Sequence, residues 1–149
     1  MGKCILICIC LLGGSSFAYA QAGLYESQGY RFENTSEPSK NKVNGQKNKL
    51  ILNFSVLDKY IIWIIKGEKA GDDNLIQYKL GRILDTDITG KKVTTIYEGE
   101  INYLGAESAG KGMGECKIYK VVNTENNELD ICISPSIGTV YCFFNLVFR

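Results

Sequence analysis

KLILNFSV, Lys49 to Val56, is the stretch that decides the fold. Leu50, Leu52, Phe54 and Val56 occupy alternate positions, with Asn53 and Ser55 among the residues between them. An apolar period of two lines one face of an extended backbone with greasy side chains and the other with polar ones, which predicts a strand half buried against a core.

The same period recurs along the chain. In LIQYKLGRIL, Ile76, Tyr78, Leu80 and Leu84 share a face against Gln77, Lys79 and Gly81. The C-terminal run places Val140, Cys142, Phe144, Leu146 and Phe148 on one side, with Tyr141, Phe143 and Asn145 on the other. YIIWII, Tyr60 to Ile65, is apolar at every position and rich in β-branched residues, so it predicts a strand covered on both faces. Turn chemistry at Leu57-Asp58, EKAGDDN, DTDITGK, NTENN and SPSIG separates these runs at short intervals. Successive strands joined by short turns lie antiparallel and adjacent. With further strands at Tyr30–Glu33, Lys92–Leu104, Cys116–Val122 and Leu129–Ile133, the count is about eight.

The expected class is therefore all-β and antiparallel, with about eight strands in an up-and-down, lipocalin-like barrel whose closure removes exposed edges. Gly99, in the middle of the longest strand, would supply the bend that closure needs. A two-sheet β-sandwich satisfies the same periodicity.

The first twenty residues read as a secretory signal. One Lys precedes an apolar stretch from Cys4 to Leu12, and Ala18-Tyr19-Ala20 forms a small-residue cleavage site before Gln21. Nine apolar residues fall short of the roughly 20 that cross a bilayer, so no integral membrane anchor is expected. Residues 1–20 would be lost, leaving 21–149 as a single β-rich domain that is secreted or periplasmic. This mature chain of 129 residues carries 16 basic and 16 acidic side chains and no net charge, which gives no electrostatic footprint for nucleic acid.

Three cysteines remain after cleavage: Cys116, Cys132 and Cys142. In an oxidising compartment two of them should pair. A meander of the last strands sets Cys132 and Cys142 opposite each other across SPSIG, whereas Cys116 and Cys142 would be two strands, about 10 Å, apart. The expected disulfide is Cys132–Cys142. The segment 34–49, NTSEPSKNKVNGQKNK, is polar and rich in lysine, so a mobile surface loop is expected there.

GAESAGKGMGE, Gly105 to Glu115, has the G-x-x-x-x-G-K spacing of a phosphate-binding loop. Gly112 stands where a magnesium-binding hydroxyl belongs, and MGECKIYKVV behind it alternates like a strand, so the helix that would stabilise a phosphate is missing. A flexible hairpin loop is the better reading, with Gly110, Lys111, Gly112 and Met113 as candidate contact residues. DTDITG, Asp85 to Gly90, has the opening carboxylates and glycine of a calcium loop but Ile96 at the twelfth position, and reads as a hairpin turn.

The absence of histidine removes Ser-His-Asp and Cys-His catalysis and the His-containing zinc sites. Glu98 and Glu100 share a strand face about 7 Å apart, a spacing compatible with general acid and base roles on a glycoside. Tyr97 and Tyr103 share the face of Val93 and Ile101 and are candidate contact residues, because aromatic rings with a polar tip favour interfaces and barrel mouths. The sequence calls for no cofactor and no metal. The expected function is an exported, non-enzymatic binding module that engages another protein through its loops, of the inhibitor or immunity-factor kind. A carrier of a small apolar ligand in the barrel interior is the second reading, and a carboxylate-based glycan hydrolase the third.

Overall fold

The computed structural model describes residues 22–104 and 114–149. These residues form one antiparallel sheet of eleven strands: β1 (Gly23–Glu26), β2 (Gly29–Asn34), β3 (Lys42–Asn44), β4 (Lys49–Phe54), β5 (Lys59–Ile65), β6 (Asn74–Thr89), β7 (Lys92–Tyr103), β8 (Gly114–Asn123), β9 (Leu129–Ser136), β10 (Thr139–Phe144) and β11 (Val147–Phe148). A single-turn 3-10 helix spans Pro38–Lys40. The strand order is β11-β1-β4-β5-β6-β7-β8-β9-β10-β2-β3, so β4 to β10 form the meander that short turns dictate. The leader expected at 1–20 lies outside the described residues.

The sheet curls into a half-barrel; it is neither the closed eight-stranded barrel that the strand count predicted nor a pair of stacked sheets. The reason lies in the first and last runs of the chain, each of which is broken. β1 gives way to β2 across Ser27 and Gln28, and β10 gives way to β11 across Asn145 and Leu146. Glu26 stands opposite Val147 and Gly29 opposite Phe144, so both breaks fall at the same level. Asn145 adopts a left-handed φ of 46°, a conformation that interrupts an extended ladder. The corners are pinned by hydrogen bonds from Ser27 N–H to the Asn48 carbonyl, from Asn48 N–H to Ser27 Oγ, from Gln28 N–H to the Phe144 carbonyl and from Leu146 N–H to the Leu129 carbonyl. Ser27 is fully buried, and these bonds satisfy the polar groups that its burial removes from water.

The concave face holds the core. Leu50 and Leu52 of β4, Ile61 of β5, Ile118 of β8, Ile131 and Ile133 of β9 and Phe143 of β10 are essentially inaccessible to water. Each fully buried aliphatic or aromatic side chain of this kind contributes about 1.5–3 kcal/mol. The alternation read from KLILNFSV holds for Leu50, Leu52 and Phe54, but Val56 is 91% exposed. β4 ends at Phe54, and Ser55 turns the chain by donating its hydroxyl to the Asp58 carbonyl and accepting the Asp58 N–H.

Several further expectations are corrected by the sheet's actual geometry. YIIWII is not covered on both sides: only Ile61 is buried, because a single sheet has no second layer over its convex face. DTDITG is not a turn; β6 continues through Thr89, and only Gly90, with φ of 59°, and Lys91 reverse the chain. The register shifts between Leu80 and Ile83 and again between Ile83 and Asp85, which rotates Leu84 out of the row of Tyr78 and Leu80 and leaves it exposed. In β10 the core takes the face of Tyr141 and Phe143 and not that of Val140 and Phe144, although the next core residue, Leu146, belongs by strict alternation with Val140 and Phe144. The broken ladder at Asn145 changes the phase of the alternation, which an unbroken strand from Val140 to Phe148 would have kept. The polar segment 34–49 is exposed from Thr35 to Lys47, yet it carries β3, paired with β2 through Tyr30 to Phe32.

Cys132 and Cys142 face each other directly across β9 and β10, with Cα atoms 4.1 Å apart and sulfurs at disulfide distance. Cys116 points into the core from β8, away from that pair. Non-reducing peptide mapping should recover a Cys132–Cys142 crosslink with Cys116 free. Cutting that ten-residue closure with reductant should lower stability by about 2–3 kcal/mol. A crosslink that includes Cys116 would contradict the sheet register. Gly99 serves packing more than bending, since a Cβ there would lie 2.6 Å from Cys116 Sγ and 2.7 Å from Ile118 Cδ1. Gly99→Ala should therefore cost about 1–3 kcal/mol in denaturant unfolding, and an unchanged midpoint would show that the neighbours relax freely.

Candidate functional site

The curl brings together residues that no local pattern connects. Trp63 of β5 stands in register with Leu50 and Ile76, and Ile76 with Tyr103, so all four belong to one concave-facing row. Across the concavity, Trp63 meets Tyr141 at 5.6 Å, Phe143 at 5.0 Å and Tyr30 at 6.1 Å between ring centroids. Phe32 stacks obliquely on Tyr141 at 5.0 Å. These spacings lie within the range in which aromatic pairs add to simple burial.

The outer side of this cluster opens into a cleft of about 520 Å³ lined by Tyr30, Phe32, Trp63 and Tyr141. Ser39, Lys40, Lys42, Gln46 and Asn48 supply its polar rim. Asn48 is buried, and its Oδ1 accepts the Trp63 indole N–H at 3.3 Å while its amide donates to the Gln46 carbonyl. That fixes the edge of the indole and leaves its face to the cleft and the neighbouring rings. Burial pushes the Tyr30 phenol up to about 12, with a further contribution from Tyr141. Burial also raises Tyr141, and Tyr103 adds to the effect. Tyr30 and Tyr141 thus keep their phenol protons throughout the physiological range.

The residues singled out in the sequence do not gather in one place. Tyr103 is 37% exposed, in the same row as Trp63 and within electrostatic reach of Tyr141, so it borders the aromatic cleft. Tyr97 shares its strand face but lies roughly 20 Å further along β7 by strand rise, and is buried in a different cleft at the other end. Gly110, Lys111, Gly112 and Met113 lie outside the described residues. Glu98 and Glu100 point from the convex face, where Glu98 pairs with Arg82 at 3.1 Å and Glu100 stands opposite Lys79 and Glu115. Asp85 and Asp87 are engaged locally: Asp85 accepts the Thr86 N–H, and Asp87 accepts the Thr89 hydroxyl.

Tyr30, Phe32, Trp63 and Tyr141 were not singled out from sequence. Their signal was present as alternating aromatics in YRF and in YCF, but the partner of each row could be known only once the sheet curled. No family model matches this chain, and no curated protein or solved structure does either.

The buried phenols and thiol give a pH prediction. Tyr30 moves from an ordinary 10 to about 12 and Cys116 from an ordinary 9 to about 11, while burial moves Tyr78 still further in the same direction. In each case the folded chain keeps a proton that the unfolded chain releases. The stability these groups contribute is complete below pH 9 and falls as pH rises through about 11 and then about 12. Ultraviolet titration should therefore show two classes of tyrosine, the later one ionising together with loss of the β signal in circular dichroism. A single class ionising at the ordinary value in folded protein would refute it.

Proposed function

We propose that the protein is an exported, non-enzymatic binding module that engages a protein partner through its aromatic cleft. The observation that carries this reading is the group of four rings, Tyr30, Phe32, Trp63 and Tyr141, lining an open cleft beneath a polar and lysine-bearing rim. Aromatic side chains held rigidly in a depression and ringed by polar groups have the composition of binding hot spots. Tyr103 extends the surface along β7. Export is supported by the leader pattern and by the disulfide-distance pair. The concave interior between the two ends is filled by Leu50, Leu52, Ile61, Ile118 and Phe143. A small ligand would therefore sit in an end cleft and not in a central hollow.

The test is affinity capture from the native extracellular or periplasmic fraction, followed by titration of the captured protein against the purified chain. Phe32→Ala combined with Tyr141→Phe, which keeps the ring that packs on Trp63, should weaken that complex at least tenfold, as truncating an anchoring aromatic does, with circular dichroism unchanged. Trp63, the only tryptophan, should report binding by its fluorescence. Capture of nothing specific, or an affinity that the double substitution leaves unaltered, would defeat the proposal.

A further inference from the structure

The end of the half-barrel opposite the aromatic cleft breaks the rule by which its interior is built. The concave row of β8 runs Cys116, Ile118, Lys120, Val122, and the inward neighbours of Lys120 across the sheet are Thr95 and Ile131. A lysine at an inward position, between Ile118 and Val122, is a local violation of binary pattern, and such violations concentrate at functional sites. Lys59, in register with Phe54, is a second inward lysine at the same end.

Both ammonium groups sit against rings. Lys120 Nζ lies 4.6 Å from the centroid of Phe54, and Lys59 Nζ lies 5.9 Å from that of Tyr97. The rings themselves pair at 6.4 Å, so the four side chains form one cluster. With Val56, Ile83, Thr95 and Val122 they line a cleft of about 380 Å³, at the small end of the range for small-molecule sites. Among the described residues, neither lysine forms an ion pair with a carboxylate. The acidic side chains of β6 to β9 around the cleft, Asp85, Asp87, Glu98, Glu100, Glu115 and Asp130, stand by register on the opposite face of the sheet from Thr95 and Lys120. A ring face offsets only part of what a cation loses on leaving water. Burial accordingly pushes the Lys120 ammonium below its ordinary value.

We infer that this cleft is a second binding site, separate from the aromatic one, for an amphipathic anion: a single carboxylate held between Lys59 and Lys120 on an apolar body that lies against Phe54, Ile83, Tyr97 and Val122. The apolar walls account for the tail, and two cations without a counter-ion account for the head. An uncharged apolar ligand would leave the ammonium groups uncompensated, and a small inorganic anion would leave the walls wet.

The probe is decanoate, titrated calorimetrically below its micelle concentration into the purified protein, with the uncharged decanol as its control. Decanoate should bind at one site and decanol about tenfold to a hundredfold more weakly, the loss expected for a charge-assisted contact. Lys120→Met keeps length and apolar contact, and should weaken decanoate by a similar factor while leaving decanol unchanged or tighter. Backbone NMR on the unmodified protein supplies a readout that survives a poorly folding variant: shifts should centre on Thr95, Tyr97, Lys120 and Val122 and spare the Trp63 indole. Equal binding of decanoate and decanol, shifts centred on Trp63 or scattered over the surface, or no binding at all would overturn the inference. Because Trp63 and the partner complex report on the other end, failure here leaves the aromatic-cleft reading standing.

Discussion

The packing of Trp63 against Tyr30, Tyr141 and Phe143 is the contact on which the architecture depends. Trp63 belongs to β5 and its partners to β10 and β2, strands separated by β6 to β9 in the sheet. A flat meander of this length would leave all four rings in water. Rolling the sheet until they meet buries them and encloses the aliphatic rows of β4, β8 and β9 beneath them. Strand twist supplies the direction of the roll, and aromatic packing supplies its end point.

The corners at Ser27–Gln28 and Asn145–Leu146 are the counterpart of that contact. A sheet tight enough to press its faces together brings its first and last runs to the same place, where the backbone must change direction. It does so with a left-handed Asn145 and with a fully buried Ser27 whose hydrogen bonds are made to Asn48. The side chain of the same Asn48 accepts the Trp63 indole proton while its backbone bonds Ser27, so the corner and the aromatic cluster are tied through one residue. Filling the centre in this way moves any binding capacity to the two ends. One end is aromatic with a polar rim, and the other is apolar with two inward lysines.

The strands that proved easiest to read were those whose rows are uninterrupted. Leu50, Leu52 and Phe54 in β4 show the period of two directly, as do the bounds of β7 and β8. The facing of Cys132 and Cys142 followed from the length of the SPSIG connection, because a short hairpin leaves few registers. Errors gathered wherever the period was interrupted: the bulges after Leu80 expose Leu84, and the break at Asn145 changes the phase of the alternation between β10 and Leu146. Gly81 stands inside the first bulge, between Leu80 and Ile83, and an isolated glycine in a strand is a bulge signal that the alternating pattern masked, whereas the break at Asn145 has neither proline nor glycine at its centre. Of the candidate contact residues, Tyr97 and Tyr103 were placed on the correct face, but that they serve different ends of the molecule follows only from the length of β7.

By itself, the sequence determined that this chain forms antiparallel strands with one greasy face, which cysteines lie opposite each other, and that histidine chemistry is absent. Those conclusions rest on local spacing and composition, and local spacing survives whatever the strands later do. Tertiary structure alone decided that the sheet stops short of a closed eight-stranded ring, that its centre is solid, and that Trp63 shares a cleft with Tyr141 while Lys120 faces Phe54. These are contacts between residues tens of positions apart, set by how far a twisted sheet must roll before its side chains exclude water, and no periodicity within a single strand records that distance.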